Sequence, residues 1–499
     1  MPPTSRGLVE AALAPGSPAE SSVRRAPTGT RLAVLLPTLY SVRNVVHSSV
    51  LGGLHSGGVE VSLLLRDSPP ESRRRVVMAA SIARMEPLQA VNGTEIAGRA
   101  LLNSVIASAF ARRNRLRSYE LYRLWFQRDA TRRERRRRRF VDGLGALAAT
   151  GPAFRGARAL AERLYRRSRD LGPIRAQLKE LRPTALWSTT CTSPFEYPYF
   201  LAARDLGIPV IASILSFDNL TSRSAVPTCD HYFVWSEAMK AQLLQLYPEV
   251  SADRVSVTGT AQFDFHRKPS RWSRAETLQR LGLPPGSRYF LYAASHVSLA
   301  PEEPRLVHQL ARRMASTDDL STFHILLRLH PQDDGSRWGQ AANDPRVVVS
   351  LACEDTPGGD EWKLPTPEEQ DRLIASLTHA EACLNVASTM SLDAAVLDRP
   401  ALGIDLSSEP NGPAGVMYSE YGATHYEPLV RSGGVEVARG WDELIGLMRL
   451  AATEPGRRRA ERARMVEQVC GRVDGRAGER IAATLIGLLR DRLSSGAAR

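Results

Sequence analysis

The sequence predicts an α/β protein with two doubly wound parallel sheets, one in each half of the chain. Short apolar segments typical of buried strands alternate with segments whose apolar residues recur at helical spacing. The length of 499 residues is too great for a single hydrophobic core. A polar, proline-containing stretch at Lys268–Arg274 separates the two series and predicts a linker. We therefore expect a disordered tail at 1–30, a first domain at 31–267 and a second at 275–475.

The first domain begins with a strand, a turn, a helix and a second strand, predicted at Arg31–Leu36, Thr38–Asn44, a helix ending near Gly57, and Val59–Leu65. Arg43, Asn44 and His47 follow the first strand, near its carboxyl end, where open α/β sheets bind ligands. A single histidine on a helix is more often structural than functional, so both interpretations of His47 stay open. The nearby glycine pairs do not form GxGxxG, and no dinucleotide site is predicted.

An arginine-rich insertion is expected at about 70–175, where the pattern is mostly helical. Arg132 to Arg139 reads RRERRRRR and lies close to four aromatic residues, Tyr119, Tyr122, Trp125 and Phe126. Together with a net charge of +13, this stretch indicates an anionic partner. It fits a solvated charged helix, attachment to an anionic membrane surface, or capture of an anionic acceptor. Nucleic-acid binding is less favoured, because no RNP, zinc-finger or GXXG signature is present.

The rest of the first domain returns to the α/β rhythm, with strands predicted at Thr184–Ser188, Ile208–Leu215, His231–Trp235 and Arg254–Thr258. The second of these runs into a polar sequence, Ser216–Arg223, that contains Asp218 and Asn219. Polar residues at the end of an apolar strand are candidate site residues. Asp218 is a candidate general base, and a structural Asx turn explains the same residues equally well.

The second domain carries polar clusters directly after four of its predicted strands. The strands are expected at Tyr289–Ala293, Phe323–Leu329, Val347–Leu351, 382–386, Ala401–Ile404 and Val435–Val437. The polar clusters are Ser295/His296, Arg328/His330, Ser388/Thr389/Ser391 and Glu409/Asn411. In a parallel sheet these ends meet at one edge, so a diphosphate pocket is predicted there. The turn at Ser388 precedes a helix whose first N–H groups favour an anion, and Asp393, one turn further, is placed to meet a ribose.

The composition argues against metal and membrane-spanning classes. The five cysteines are isolated, no CxxC and no Cys/His zinc spacing occurs, and no DxD triplet is present. We therefore expect no metal site and no cofactor. No run of 18 apolar residues and no secretory leader is seen. The expected location is cytoplasmic, with peripheral attachment at the inner face of the membrane through Arg132–Arg139 as an alternative.

Two stretches in this order resemble a known family. Arg328-Leu329-His330-Pro331, followed by the segment Ala387–Pro400 (ASTMSLDAAVLDRP), resembles the donor half of GT-B glycosyltransferases. The likeness is greatest to the branch that includes CDP-glycerol glycerophosphotransferases and bacterial surface-polysaccharide glycosyltransferases. Ser216–Ser222 and Val257–Asp264 are similar to bacterial surface-carbohydrate transferase-like proteins. The resemblance covers roughly residues 31–65 and 183–450 and leaves out the arginine-rich insertion.

The resemblance implies two Rossmann-like domains that face each other across a cleft, with a last helix, 476–499, that returns to the first domain. It implies a nucleotide-sugar donor in the second domain, held by Ser295, His296, Arg328, His330, Ser388, Thr389, Ser391 and Asp393. The acceptor, a carbohydrate or a lipid-linked molecule, would meet Arg43, Asn44 and Asn219, with Asp218 or His47 as the catalytic base. Glycerophosphotransferases carry an HGT-type motif where this chain has Ser216–Asn219, and the missing histidine favours a glycosyl donor.

The expected activity is therefore the transfer of a sugar from a nucleotide sugar to an acceptor hydroxyl in bacterial surface polysaccharide or glycolipid synthesis, without a metal. Three alternatives remain at this point. One is a phosphotransferase that uses a CDP-alditol donor. Another is an enzyme similar to nucleotide-sugar 2-epimerases, which needs no acceptor. The last is an arginine-rich binding protein for nucleic acid or membranes on a scaffold that has lost its activity.

Overall fold

The computed structural model describes residues 25–67, 76–93, 98–119, 121, 130–222, 225–297, 300–352, 366–409 and 420–496. Most of the expected tail at 1–30 lies outside these ranges, as do Tyr122, Trp125, Phe126 and Asn411. The described chain forms two α/β domains, each built on one parallel sheet. The predicted fold class is thus confirmed.

The first sheet has seven parallel strands in the order β3-β2-β1-β4-β5-β6-β7. They are β1 (Arg31–Leu36), β2 (Glu60–Leu65), β3 (Arg84–Pro87), β4 (Ala185–Ser188), β5 (Val210–Ser213), β6 (His231–Val234) and β7 (Val255–Val257). The strand order reverses between β1 and β4, which makes their carboxyl ends the expected ligand crevice. Strand β3 lies inside the segment predicted to be helical. Its four residues are only partly buried and pair with β2 at the sheet edge, so they lack the apolar signal of an inner strand.

Eight helices described by the structure accompany this sheet: α1 (Leu39–Val45), α2 (Ser49–Ser56), α3 (Arg99–Arg113), α4 (Arg132–Leu147), α5 (Gly151–Ser168), α6 (Gly172–Leu181), α7 (Tyr197–Asp205) and α8 (Glu237–Leu246). The turn predicted at Thr38–Asn44 is wrong, because this segment forms α1. The Thr38 side chain accepts a hydrogen bond from the Ser41 N–H and caps α1. Ser48 caps α2 through the Val50 N–H, which splits the region into two short helices.

The second sheet has six parallel strands in the order β10-β9-β8-β11-β12-β13. They are β8 (Tyr289–Ala293), β9 (His324–Arg328), β10 (Val347–Ser350), β11 (Cys383–Asn385), β12 (Ala401–Ile404) and β13 (Val435–Ala438). The helices are α9 (Arg274–Arg280), α10 (Glu303–Ala315), α11 (Gly339–Ala342), α12 (Pro367–Thr378), α13 (Met390–Val396), α14 (Glu427–Arg431), α15 (Trp441–Thr453), α16 (Arg459–Cys470) and α17 (Ala477–Gly496). The order reverses between β8 and β11, so their carboxyl ends flank the second crevice.

The last helix belongs to the packing of the first domain. On α17, Leu485, Ile486 and Leu489 are buried in the same apolar cluster as residues of β1, β2 and α2. Asp264, which ends the first domain, accepts hydrogen bonds from the Ala477 and Gly478 N–H groups (3.0 and 2.8 Å) and caps α17. Among the described residues, no helix combines the length and the apolar composition needed to cross a membrane.

Candidate active site

The second crevice brings together two of the predicted polar clusters. Ser295 follows β8, and its hydroxyl points toward the Val386 carbonyl after β11, at 3.5 Å. Arg328 is the last residue of β9 and pairs with Ala293 of β8, so it reaches the same edge of the sheet. This arrangement follows from the strand order, since β9, β8 and β11 are neighbours and end at one side.

His296 and His330 form an edge-to-face ring pair at this edge, with centroids 5.2 Å apart. Burial, and to a smaller extent the neighbouring His296, lowers the pKa of His330 to about 4. The ring is therefore neutral at pH 7. The Gln332 N–H lies 3.2 Å from Nδ1, which accepts its hydrogen bond, so the ring proton of neutral His330 is on Nε2. His330 can thus donate a hydrogen bond to an anion but carries no charge with which to attract it.

The loop after β8 is held by residues that the sequence analysis did not single out. Glu303 is fully buried and accepts a hydrogen bond from the Ser295 N–H at 2.9 Å. Burial raises the pKa of Glu303 to about 7. Arg337 donates to the Ser295 and Ala300 carbonyls (3.2 and 2.7 Å) and to Asp333 (2.7 Å). The only sequence signal was the position of Asp333 directly after the His330-Pro331 motif.

The Ser388 turn, residues 385–389, lies at the carboxyl end of β11. Ala387 adopts a positive φ of 44°, a conformation that is costly for a residue with a Cβ and often marks functional sites. Several N–H groups expected to bind an anion have internal acceptors: Ser388 N donates to Asn385 Oδ1, Met390 N to Ser388 Oγ, and Ser391 N to the Ser388 carbonyl. Thr389 is the exposed residue of the turn. Helix α13 has only seven residues, so it adds little dipole.

Ser391 faces the interior. Its side chain is fully buried, receives a hydrogen bond from Asn385 Nδ2 at 3.0 Å and lies 3.0 Å from the Tyr426 hydroxyl. In this arrangement the Ser391 hydroxyl supports the turn and is out of reach of a ligand in the crevice. The sequence could not show this, because the partner Tyr426 comes from a later segment of the chain.

Asp393 faces the first domain. Its Oδ1 lies 2.9 Å from Nε2 of His266, which precedes the linker. Arg43 of α1 donates to Gln262 at 2.8 Å and to Asn44 at 3.0 Å. Burial lowers the pKa of Arg43, while the nearby Tyr40 hydroxyl and Asp393 carboxylate act in the opposite direction. The predicted ribose contact and the predicted acceptor residues thus meet across the domain boundary.

Asp218 and Asn219 lie in a polar turn after β5 that also approaches the second domain. The Ser216 N–H donates to Asn219 Oδ1 at 3.2 Å, and the Ser222 hydroxyl donates to Asp218 at 2.8 Å. Asn219 is buried within this turn. Burial raises the pKa of Glu420, and the negative charge of Asp218 raises it further, which brings these two carboxylates into one electrostatic environment.

Residues 420–426, which we name the tyrosine segment, join the two halves of the site. The Ala387 N–H donates to the Tyr421 hydroxyl at 3.1 Å, and the Tyr426 hydroxyl donates toward the Ser388 carbonyl at 3.3 Å. Gly403 is required here, since a Cβ on it would lie 2.8 Å from the Tyr421 hydroxyl. His425 of the same segment lies 3.4 Å from Glu420.

The tyrosine segment also contacts the first domain. The His425 ring lies 6.1 Å from the Phe217 ring, beside Asp218, and its Nδ1 is 3.1 Å from the Ser118 hydroxyl of the insertion. The Arg117 N–H donates to Thr424 at 2.8 Å. One short segment therefore positions the Ser388 turn relative to Asp218.

Solved structures of other proteins share this fold, whereas no family model and no curated protein sequence matches the chain. A putative UDP-N-acetylglucosamine 2-epimerase from Listeria monocytogenes has a TM-score of 0.54 at 11% identity, over 93% of this chain and 98% of that chain. The UDP-GlcNAc 2-epimerase of Neisseria meningitidis bound to UDP-GlcNAc has a TM-score of 0.51 at 13% identity, over 92% and 100%. S. aureus MnaA with UDP has a TM-score of 0.50 at 11% identity, over 92% and 97%. The chain has the GT-B fold.

Three further predicted features lie in different parts of the structure. His47 lies between α1 and α2, where burial lowers its pKa, and no hydrogen bond links its ring to another candidate among the described residues. Arg132–Arg139 belong to α4 and are almost all exposed. Glu409 caps α15 by accepting from the Trp441 N–H at 2.9 Å, which gives it a structural role. No group of three potential metal ligands occurs within the described ranges.

Proposed function

We propose that this protein transfers a sugar from a nucleotide-sugar donor at the second crevice to an acceptor hydroxyl held by the first domain. The observation that carries the proposal is the tyrosine segment. It holds the Ser388 turn through Tyr421 and Tyr426, and it places Glu420 and His425 against the Asp218 side of the first domain. These contacts support the proposal that the Ser388 turn and the candidate base belong to one site.

On the donor side, the diphosphate is proposed to bind to six residues: His330, His296, Arg328, Ser295 and, through their hydroxyls, Ser388 and Thr389. His330 contributes a hydrogen bond from its neutral ring, so the positive charge that stabilises the leaving diphosphate comes from Arg328. Asp393 would meet the ribose after exchanging its contact with His266 for one with the ligand. Ser391 supports the turn, and no contact with the donor is proposed for it.

On the acceptor side, Asp218 is the proposed base, because a carboxylate at this place can take the proton of the acceptor hydroxyl. Arg43, Asn44 and Asn219 are proposed to orient the acceptor, Asn219 through the turn that it builds. His47 remains the alternative base. The acceptor is a carbohydrate or lipid-linked hydroxyl, and the exposed arginines of α4 support an anionic partner, with an anionic membrane face as the proposed one.

A second candidate function is nucleotide-sugar 2-epimerisation. The three structures named above support it, because two of these proteins are 2-epimerases, one of them putative, and the third was solved with UDP, all on the same fold. The two activities differ in one requirement. A transferase releases its nucleotide when an acceptor is present, whereas an epimerase converts the sugar without any acceptor.

The test is a donor screen with purified protein, with UDP-sugars, GDP-sugars and CDP-alditols, each with and without a mixture of acceptor sugars. We expect acceptor-dependent release of nucleotide from one nucleotide sugar. His330→Ala should reduce this turnover at least about a hundredfold, because a hydrogen bond to the leaving group is lost. Asp218→Asn should remove turnover while nucleotide binding is retained.

The matched control is His324→Ala, because His324 lies on the same strand β9 but at its opposite, amino-terminal end. It should turn over like the unmodified protein. Wild-type turnover in His330→Ala would contradict the donor assignment. If the sugar of the donor is epimerised without an acceptor, the protein is an epimerase and the proposed transferase activity is wrong. Turnover of a CDP-alditol would show that the protein is a phosphotransferase. If no nucleotide raises the thermal stability of the protein, a binding protein without activity is favoured.

A further inference from the structure

A cavity lies at the edge of the first sheet opposite the edge that faces the cleft. It has a volume of about 900 Å³, within the usual range for small-molecule sites. It is lined by residues that precede β5, β6 and β7, such as Ile208, Asp230 and Arg254. The carboxyl ends of these strands face the cleft, whereas the cavity lies at their amino-terminal ends. The full length of the strands therefore separates the cavity from the cleft.

The insertion forms the other wall of this cavity. Arg113 ends α3, while Gly151, Phe154, Arg155 and Arg158 belong to α5. Phe110 stacks on Phe154 and Tyr247 (centroids 6.1 and 5.5 Å apart) and provides an apolar floor. The cavity exists only because the insertion packs on the sheet, and the insertion lies outside the resemblance to GT-B transferases.

Positive charge converges at one point of this wall. Arg113 Nη1 and Arg155 Nη1 lie 3.3 and 3.5 Å from the position that a Cβ on Gly151 would take. Gly151 begins the 18-residue helix α5, whose N-cap Thr150 makes no side-chain capping bond. Two exposed guanidinium groups and the N-terminal end of α5 therefore lie close together, which concentrates positive charge at this wall of the cavity.

The acidic residues of the cavity do not neutralise this point. Glu162 pairs with Arg204 at 2.9 Å, and Glu249 lies 3.9 Å from Arg158. Asp230 accepts a hydrogen bond from the Val210 N–H at 2.8 Å. Within the described part of the chain, no carboxylate forms an ion pair with Arg113 or Arg155.

We propose that this cavity is a second anion site, which binds a phosphate-bearing small molecule between the insertion and the first sheet. Arg113, Arg155 and the N–H groups at the start of α5 hold the phosphate, because guanidinium forks and helix N-termini both match its oxygens. The aromatic floor at Phe110 and Phe154 accommodates an apolar or planar part of the ligand. The site is independent of the cleft and of the activity proposed for it.

The experiment is isothermal titration of the full chain with inorganic tripolyphosphate. The double variant Arg113→Glu with Arg155→Glu should weaken binding at least about tenfold, since two charge-assisted contacts become repulsive. The matched control, Arg136→Glu with Arg137→Glu, makes the same change of charge on the exposed face of α4 and should bind like the unmodified protein. Both variants should bind UDP equally, which shows that the cleft is intact.

Equal losses in both double variants, or no loss in either variant in both the titration and the vesicle flotation, would overturn the proposal. If only His330→Ala weakens tripolyphosphate binding, the anion binds in the cleft, and the proposal is overturned as well. The source of the phosphate is distinguished by flotation with phosphatidic acid and phosphatidylcholine vesicles. Vesicle binding that needs Arg113 and Arg155, without tripolyphosphate binding, assigns the phosphate to a lipid headgroup, whereas tripolyphosphate binding alone assigns it to a soluble ligand.

Discussion

At the scale of single residues, two buried carboxylates hold loops at the carboxyl ends of strands. Glu303 accepts from the Ser295 N–H beside the second crevice, and Glu196 accepts from the Thr189 and Thr190 N–H groups after β4. Both are fully buried, and burial raises the pKa of each to about 7. Ionising these two carboxyl groups in the interior costs free energy, so the stability of the fold depends on pH in a measurable way.

We expect stability to fall as the pH rises from about 4.5 to about 7, where the unfolded chain has released the Glu303 proton and the folded chain still binds it. Below this window the contribution is fully present, and above it the loss is complete. Glu303→Gln should remove the part of this pH dependence that Glu303 causes, a change in the free energy of unfolding on the order of 3 kcal/mol across the window. The measurement is the thermal midpoint at a series of pH values. The neighbouring exposed Glu302→Gln is the control, and equal slopes in the two variants would refute the assignment.

At the scale of elements, the tyrosine segment determines the shape of the Ser388 turn. The Tyr426 hydroxyl contacts Ser391 and the Ser388 carbonyl, and both contacts lie in the interior. The strained Ala387 is held from the same segment through Tyr421. The positive φ persists because the surrounding contacts over-determine it.

Tyr426→Phe should therefore cost about 1 kcal/mol of stability and also weaken nucleotide binding several-fold, because the turn loses its anchor. Tyr289→Phe is the matched variant. Its hydroxyl is equally buried and donates to the Ser376 carbonyl at 2.8 Å, away from the turn. It should lose similar stability and bind nucleotide normally. Nucleotide affinities that change equally in both variants would show that the segment does not position the turn.

At the scale of the whole molecule, α17 ties the end of the chain to the first domain. Its apolar face completes the core that β1, β2 and α2 begin, and Asp264 caps its first turn. The His266–Asp393 contact and the tyrosine segment add polar links between the domains at the cleft. The two sheets are thus connected at the back by packing and at the cleft by contacts that a ligand can exchange.

Leu485→Ala should destabilise the first domain by about 2–5 kcal/mol, although the residue follows the second domain in sequence, because it leaves a cavity in the first core. Hydrogen exchange in β1 and α2 should rise in this variant, while β8 and β9 keep their protection. Leu488→Ala, on the same helix but only partly buried, should have a smaller effect. Increased exchange confined to the second domain would contradict this placement of α17.

The sequence by itself determined the strands and most of the helices, since apolar periodicity and capping residues act locally. It also determined which polar residues follow the strands: Arg328 and His330 were predicted at the carboxyl end of β9, and Arg328 pairs there with Ala293 of β8. It missed β3 and α1, because β3 is a short edge strand and α1 has only seven residues, too few for a clear helical period.

Only the tertiary structure decided what each polar side chain meets. Ser391 faces Tyr426, Asp393 faces His266, and the N–H groups of the Ser388 turn are largely satisfied from within. It also brought Arg113 to Arg155 at the start of α5. These pairings join residues far apart in the chain, and their energies depend on burial and distance. Local pattern carries no information about either quantity, which is why the sequence named the strand ends and the packing assigned their partners.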